Sequence, residues 1–290
     1  MDIERIGIVG CGLMGSGIAE VCARAGADVV VREPDEALLK GGRQRIEQSL
    51  ARAVRAGKLT EEEQHAALAQ ITFVTDWGAM ADRQLVVEAV TEDADAKLAV
   101  YRDLDRHVEA DDAILASNTS SIPIMKLAMA TRRPAQVIGI HFFNPVPVLR
   151  LVELVTSLLT ADEVVERAEA YVTGALGKRV IRSQDRAGFV VNALLIPYLL
   201  SAVRMLESGF ASREDIDTGM VEGCAHPMGP LALADLIGLD TTMAVSMSLY
   251  EEFKEPLYAP PPLLSRMVEA NLLGRKTGRG FYDYQRRPAG

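Results

Sequence analysis

The sequence predicts an α/β fold, a doubly wound and largely parallel sheet over residues 1–183 followed by an all-α unit over 184–290. Three features lead there. Apolar β-branched runs alternate with helical stretches through most of the first half, as βαβ units on a parallel sheet do. The glycine turn Gly10-Cys11-Gly12-Leu13-Met14-Gly15 follows the first such run and opens a helix. From about Asp185 onward strand signals nearly vanish and apolar residues take helical spacing.

The short apolar run 5–9 predicts the first strand, and 16–25 a helix stopped by Gly26. The β-branched run 28–31 predicts the second strand, and 35–56 a long helix. Strands are then expected at 71–74, 85–90 and 113–117, with a helix over 94–107 between the last two. Two more, at 137–140 and 149–155, flank the turn-rich Asn144-Pro145-Val146-Pro147. In the second half 189–206 reads as a helix, and Ser212 with Asp215 three places on is a variant capping box that opens another. The boundary falls near 183–186, with neither a repeat nor a low-complexity linker.

Of 290 residues, 49% are hydrophobic and 24% charged, ordinary proportions for a globular chain with a large core. The net charge of -9 gives a nucleic-acid partner no electrostatic support. Cys11, Cys22 and Cys224 form no CxxC pair and are odd in number, which fits a reducing compartment. His65, His107, His141 and His226 show no ligand spacing, so no metal is expected. The opening Met1-Asp2-Ile3-Glu4-Arg5 lacks the character of a signal peptide. The longest apolar stretch, 189–203, is shorter than the roughly 20 residues a membrane span needs. It is read as a buried helix, and a cytoplasmic location without membrane contact is expected.

In the glycine turn, the first glycine permits a tight bend, the second lets backbone approach a pyrophosphate, and the third allows close helix–strand packing. The helix that follows offers unpaired N–H groups to phosphates. Glu33, at the end of the second strand, stands where an acid should meet the adenosine ribose. Its charge favours NAD, whereas neighbouring Arg32 could accept the 2′-phosphate of NADP.

Two further segments end at strand termini. Ala116-Ser117-Asn118-Thr119-Ser120-Ser121 supplies small hydroxyl and amide groups where open α/β sheets bind ligands; a helix cap or turn would use the same residues. His141-Phe142-Phe143-Asn144-Pro145 is followed by Glu153. If 144–147 reverses the chain, His141 and Glu153 lie opposite each other across a hairpin. A carboxylate on a strand face with Leu149, Leu151 and Val155 needs a partner, and a histidine provides one while becoming an oriented base. A core histidine and a strand-edge carboxylate would also fit.

Together GCGLMGSGIAE, ASNTSS, HFFNPVP, LVELV, GFVVN, HPMGP and GRKTGRGFYDY resemble the 3-hydroxyacyl-CoA dehydrogenases, in the family's order, from residue 3 to residue 284. The likeness is closest to the short, stand-alone 3-hydroxybutyryl-CoA type. It implies a Rossmann-type NAD-binding domain and a helical domain that completes the substrate site and forms a homodimer, acting on an acyl-CoA. By this resemblance His141 is the catalytic base, Glu153 orients it, Ser120 binds the substrate oxygen and Asn192 completes the site. Cofactor contacts are implied for Gly10, Gly12, Leu13, Met14 and Gly15, for Glu33, Glu92 and Lys97, and for Ser120 and Asn144. Arg266 stands where the family more usually has a lysine, and Lys58 is a candidate for the CoA end. Glu33 replaces a commoner Asp, and Ala193 a commoner Arg. Two other readings share the scaffold: a dehydrogenase of a free hydroxy acid or sugar acid, and a dinucleotide-binding protein without turnover. HFFNPVP and GRKTGRGFYDY speak against the first, and the joint presence of His141, Glu153, Ser120 and Asn192 against the second.

Overall fold

The computed structural model describes residues 3–285. It comprises two compact units, one ending at Arg186 and the other beginning at Ala187. Asp185 belongs to the first unit. Its carboxylate accepts the amides of Ile124 (2.8 Å) and Met125 (2.7 Å).

In the first unit, β1 (Arg5–Val9), β2 (Asp28–Arg32), β3 (Ile71–Val74), β4 (Leu85–Glu88), β5 (Ile114–Ser117) and β6 (Val137–Phe142) run parallel, in the order β3-β2-β1-β4-β5-β6. β7 (Leu151–Thr156) is antiparallel to β6, and β8 (Arg179–Gln184) pairs parallel with β7. β4, β5 and β6 are buried throughout, which is why they read as near-continuous apolar runs. β8 was not expected: its sequence RVIRSQ is two-thirds polar, and it is an incompletely buried strand at the end of the sheet. β7 starts at Leu151, two residues later than expected, because Leu149 and Arg150 are exposed in the turn.

The helices of this unit are α1 (Leu13–Arg24), α2 (Glu36–Arg55), α3 (Glu61–Ala69), α4 (Ala94–His107), α5 (Ile124–Ala128) and α6 (Asp162–Ala170). Side chains cap three of them: Asp35 accepts from Leu38 N, Thr60 and Glu63 form a capping box, and Asp93 accepts from Ala96 N. Ile6, Ile8, Val29 and Val31 pack with Ile18 of α1, Ile46 of α2 and Val165 of α6 in one core. The strand order reverses between β1 and β4, and such a reversal opens a crevice beyond the carboxyl ends of the strands.

The second unit contains α7 (Val191–Glu207), α8 (Arg213–Cys224), α9 (Pro230–Ile237), α10 (Leu239–Phe253) and α11 (Pro262–Glu269). Its core joins Ile196, Leu199 and Leu200 of α7 to Leu231, Leu249 and Leu264. α7 is not buried all round, since Leu194 is 72% exposed. Two buried carboxylates fasten the chain here. Asp217 accepts the amides of Leu231 (2.8 Å) and Ala232 (2.9 Å), capping α9 from α8, and the Tyr282 hydroxyl at 3.0 Å. Asp235 accepts the amides of Phe281 and Tyr282, both at 2.9 Å, and the Tyr284 hydroxyl at 3.0 Å. A Cβ on Gly229 would stand 2.3 Å from the Asp217 side chain, and one on Gly280 1.9 Å from Asp235 Oδ1. These contacts explain Gly229 of the HPMGP segment and Gly280 of the GRKTGRGFYDY segment as packing requirements. Among the described residues no single helix is long and apolar enough to cross a membrane.

Candidate active site

The turn between β1 and α1 is shaped by its glycines. Gly10 has φ +92°, and a Cβ there would lie 2.7 Å from the Ala89 carbonyl oxygen. A Cβ on Gly15 would strike the Gly10 carbonyl at 1.8 Å, whereas one on Gly12 would meet nothing within 4 Å. Gly12 is the N-cap of α1, with no side-chain cap and no acidic residue in the first turn. Helix amides and dipole are thus left for an anion, and α1 starts at Leu13 instead of residue 16. Leu13 is exposed and Met14 half-buried. These features fit a dinucleotide pyrophosphate.

Glu33 is buried, and its Oε1 accepts the Cys11 amide. Arg45 of α2, which sequence reasoning missed, donates to the Cys11 carbonyl at 3.1 Å. Burial, with the Glu33 carboxylate beside it and Arg45 opposing, pushes the Cys11 thiol up to about 12, so this cysteine is no nucleophile. Arg32 points elsewhere: its Nε donates to the Thr75 carbonyl (3.2 Å) and its guanidinium stacks 4.2 Å from the centre of the Trp77 ring. Trp77 in turn stacks on His107, with centroids 5.9 Å apart.

Beyond β4 and β5 lies a polar network. Lys97 and Glu88, 1% and 0% exposed, form an ion pair of 2.6 Å. Lys97 also reaches Glu92 Oε2 at 3.3 Å. Glu92 Oε1 gathers the Thr119 hydroxyl (2.6 Å), the Ser120 amide (2.8 Å), and the amide (3.0 Å) and hydroxyl (2.9 Å) of Ser121. Burial raises the Glu92 carboxyl, but Lys97 and these donors outweigh it and hold Glu92 below the usual range. Glu92, Lys97 and Ser120 are therefore brought together as expected, and Glu88 joins them. It could have been noticed in the sequence as an acid ending an otherwise apolar strand.

β6 and β7 put His141 directly opposite Glu153 in register. His141 Nδ1–H donates to Glu153 Oε2 at 2.7 Å, with Glu153 0% and His141 6% exposed. Phe143 packs edge-on to the imidazole, centroids 4.6 Å apart. Asn118, also missed, ties this strand to the serine loop, because its Oδ1 accepts the Phe142 amide at 2.8 Å. The arrangement fixes the imidazole tautomer and can stabilise its protonated form.

The remaining candidates are dispersed. Asn144 is exposed in the turn after β6. Lys58 is exposed between α2 and α3, roughly 30 Å along the helix from the β2 end of the sheet. The structure does not bring it together with the other candidates in this unit. Asn192 is half-buried in the first turn of α7, after a bend in which Gly188 and Phe189 have φ of +75° and +49°. Arg266 is exposed on α11, paired with Glu269 at 2.8 Å. Among the described residues no group of three or more His, Cys, Asp or Glu is placed to hold a metal ion.

A turn shaped for pyrophosphate and a carboxylate-held histidine on the same edge of a parallel sheet belong to dehydrogenases that use a nicotinamide dinucleotide. The comparison with known proteins narrows the class. Residues 5–186 match the NAD binding domain of 3-hydroxyacyl-CoA dehydrogenase and residues 188–284 match its C-terminal domain. The chain belongs to the 3-hydroxyacyl-CoA dehydrogenase family. It is 60% identical over 282 residues to a 3-hydroxybutyryl-CoA dehydrogenase of Mycobacterium tuberculosis, covering 97% of this chain and 99% of that one. The crystal structure of M. tuberculosis FadB2 has a TM-score of 0.97 at 60% identity, covering 98% of this chain and 100% of its own. That of (S)-3-hydroxybutyryl-CoA dehydrogenase from Ralstonia eutropha has a TM-score of 0.93 at 46% identity, with 98% and 100% covered. The protein is an NAD-dependent oxidoreductase.

Proposed function

We propose that the protein interconverts (S)-3-hydroxybutyryl-CoA and acetoacetyl-CoA, with His141 as the acid and base. The observation that carries this reading is the buried 2.7 Å contact between His141 and Glu153. The names of the close relatives support the four-carbon CoA ester. In the oxidative direction Nε2 of His141 takes the proton of the C3 hydroxyl, while Glu153 keeps the proton on Nδ1 and stabilises the imidazolium. Ser120 holds the C3 oxygen, and Asn192 belongs to the substrate-binding set. NAD, when bound, supplies the acceptor for the C3 hydride. Gly10, Gly12, Leu13, Met14 and Gly15 hold its pyrophosphate; Glu33 meets the adenosine ribose; Glu92, Lys97, Ser120 and Asn144 lie toward the nicotinamide. Arg266 and Lys58 are assigned to cofactor and CoA on resemblance alone. In the reductive direction His141 returns the proton.

Purified protein is expected to oxidise NADH when given acetoacetyl-CoA and not when given free acetoacetate. Turnover of the free acid alone, or of neither, overturns the reading. Two copies are further proposed to pair through the second unit, where Leu194, Phe210 and Leu236 are exposed. Light scattering reporting a monomer at micromolar concentration refutes the pairing.

A further inference from the structure

Glu88 has no place in the chemistry above, yet it is fully buried and both of its carboxylate oxygens accept hydrogen bonds. Its Oε1 accepts from Lys97 Nζ at 2.6 Å and from the Val90 amide at 2.8 Å. Its Oε2 accepts from the Ser117 hydroxyl at 2.7 Å. Two chains of contacts lead from it to one loop. Through Lys97 it reaches Glu92, whose Oε1 holds residues 119–121 by amides and hydroxyls. Through Ser117, whose Oγ accepts the Thr119 amide at 3.1 Å, it reaches the same loop from below. That loop carries Ser120, and Asn118 at its start holds the backbone beside His141.

Stability alone is a poor reason for such a pair. Desolvating a carboxylate and an ammonium costs about as much as their attraction returns, and apolar replacements of equal volume often stabilise. What the pair does uniquely is fix the direction of the Lys97 ammonium. Without Glu88, that ammonium is drawn wholly toward Glu92, and Glu92 is drawn off the loop donors. The topology says which half of the cofactor would feel this. Adenosine lies toward β2, where Glu33 stands, so the nicotinamide half lies across the reversal toward β4 and β5.

We propose that Glu88 is a positioning residue for the nicotinamide end of the site: by clamping Lys97 and Ser117 it sets the geometry of Glu92 and the Ser120 loop. The inference rests on the reading that Glu92, Lys97 and Ser120 meet the nicotinamide half. ADP-ribose, which keeps the adenosine, the pyrophosphate and both riboses but lacks nicotinamide, separates positioning from folding.

Calorimetric titration of the full-length protein with NAD⁺ and with ADP-ribose tests both. Wild type should bind NAD⁺ more tightly than ADP-ribose; equal binding refutes the underlying reading, independently of any variant. Glu88→Gln keeps the shape and part of the hydrogen bonding but removes the charge. It should weaken NAD⁺ about tenfold, as loss of a charge-assisted contact does, and ADP-ribose less than twofold. In Ser117→Ala only the second chain is cut, so the same selective loss should appear at about threefold. Equal losses for both ligands, or none, overturn the proposal. Should Glu88→Gln fail to fold, Ser117→Ala decides alone: a selective loss upholds the proposal and an unchanged ratio overturns it.

Discussion

In the first unit Glu88 and Glu153 are buried against side chains that carry or exchange a proton, Lys97 and His141. In the second, Asp217 and Asp235 are buried against backbone amides and tyrosine hydroxyls. Each carboxylate pays its desolvation with hydrogen bonds, but the partners differ in kind. Amide donors are fixed by the backbone, so a carboxylate that gathers them locks chain segments together. A lysine or histidine partner is itself oriented by the contact, and its charge is then available to a third group. Burial alone therefore does not separate the two kinds of acid; the partner does.

The largest test of that contrast is at the histidine. His141→Ala should lower kcat about 10²–10⁴-fold, the usual worth of general acid–base catalysis, with NADH affinity little changed. Glu153→Gln should cost a large part of that factor, and the double variant should be barely worse than His141→Ala, since residues serving one function are non-additive. Losses that multiply would mean that Glu153 is an architectural acid like Asp235. The converse variant is Asp235→Ala, which strands two amides and a hydroxyl. It should destabilise by about 2–4 kcal/mol, seen as a lower Tm, while kcat per folded molecule stays within about twofold. A kcat loss as large as that of Glu153→Gln would erase the distinction.

Cofactor choice comes next. Glu33→Ala should weaken NADH use relative to NADPH by about tenfold in kcat/KM, the scale of one charged contact. Wild-type preference for NADPH would show that Arg32 dominates despite its stacking on Trp77. The smallest expected effect is in the pH dependence of stability, where Glu92 and Asp235 have opposite signs. Lys97 and the loop donors, outweighing burial, hold Glu92 below the usual range, so its contribution is present above the unfolded pKa and fades as pH falls through the folded one. Burial pushes Asp235 up despite the amides of Tyr282 and Phe281 and the Tyr284 hydroxyl, so its contribution is present at acid pH and fades as pH rises through the folded pKa. Calorimetric unfolding of Glu92→Gln and Asp235→Asn between about pH 3 and 6 should show slopes that differ from wild type in opposite directions.

Much of this was legible in the sequence where local pattern and burial agree. The β1–turn–α1 unit follows from three glycines after an apolar run. The facing of His141 and Glu153 follows from their separation about a turn centred near Pro147, because antiparallel register is set by turn position. What stayed hidden depends on contacts distant along the chain. β8 lacks an apolar signal because the end of the sheet leaves it partly in water. Asn118 lies in a segment singled out for hydroxyl and amide groups offered to a ligand, yet its side-chain oxygen accepts the Phe142 amide. Asp217 and Asp235 sit in helical sequence like any surface acid, and only the start of α9 and the returning segment at 281–284 reveal why they are buried.

The stacking of Arg32 and of His107 on Trp77 has an optical consequence. It is the only tryptophan in the chain, so emission excited at the indole band comes from one location, at the end of the sheet where β2 and β3 finish. A guanidinium over one ring and an imidazole against it make that emission sensitive to any shift of either neighbour. With adenosine beside Glu33, as proposed, adenine nucleotides should shift this emission, and a quench shared by 5′-AMP and NAD⁺ but absent with nicotinamide mononucleotide would map the adenosine end of the crevice by light alone.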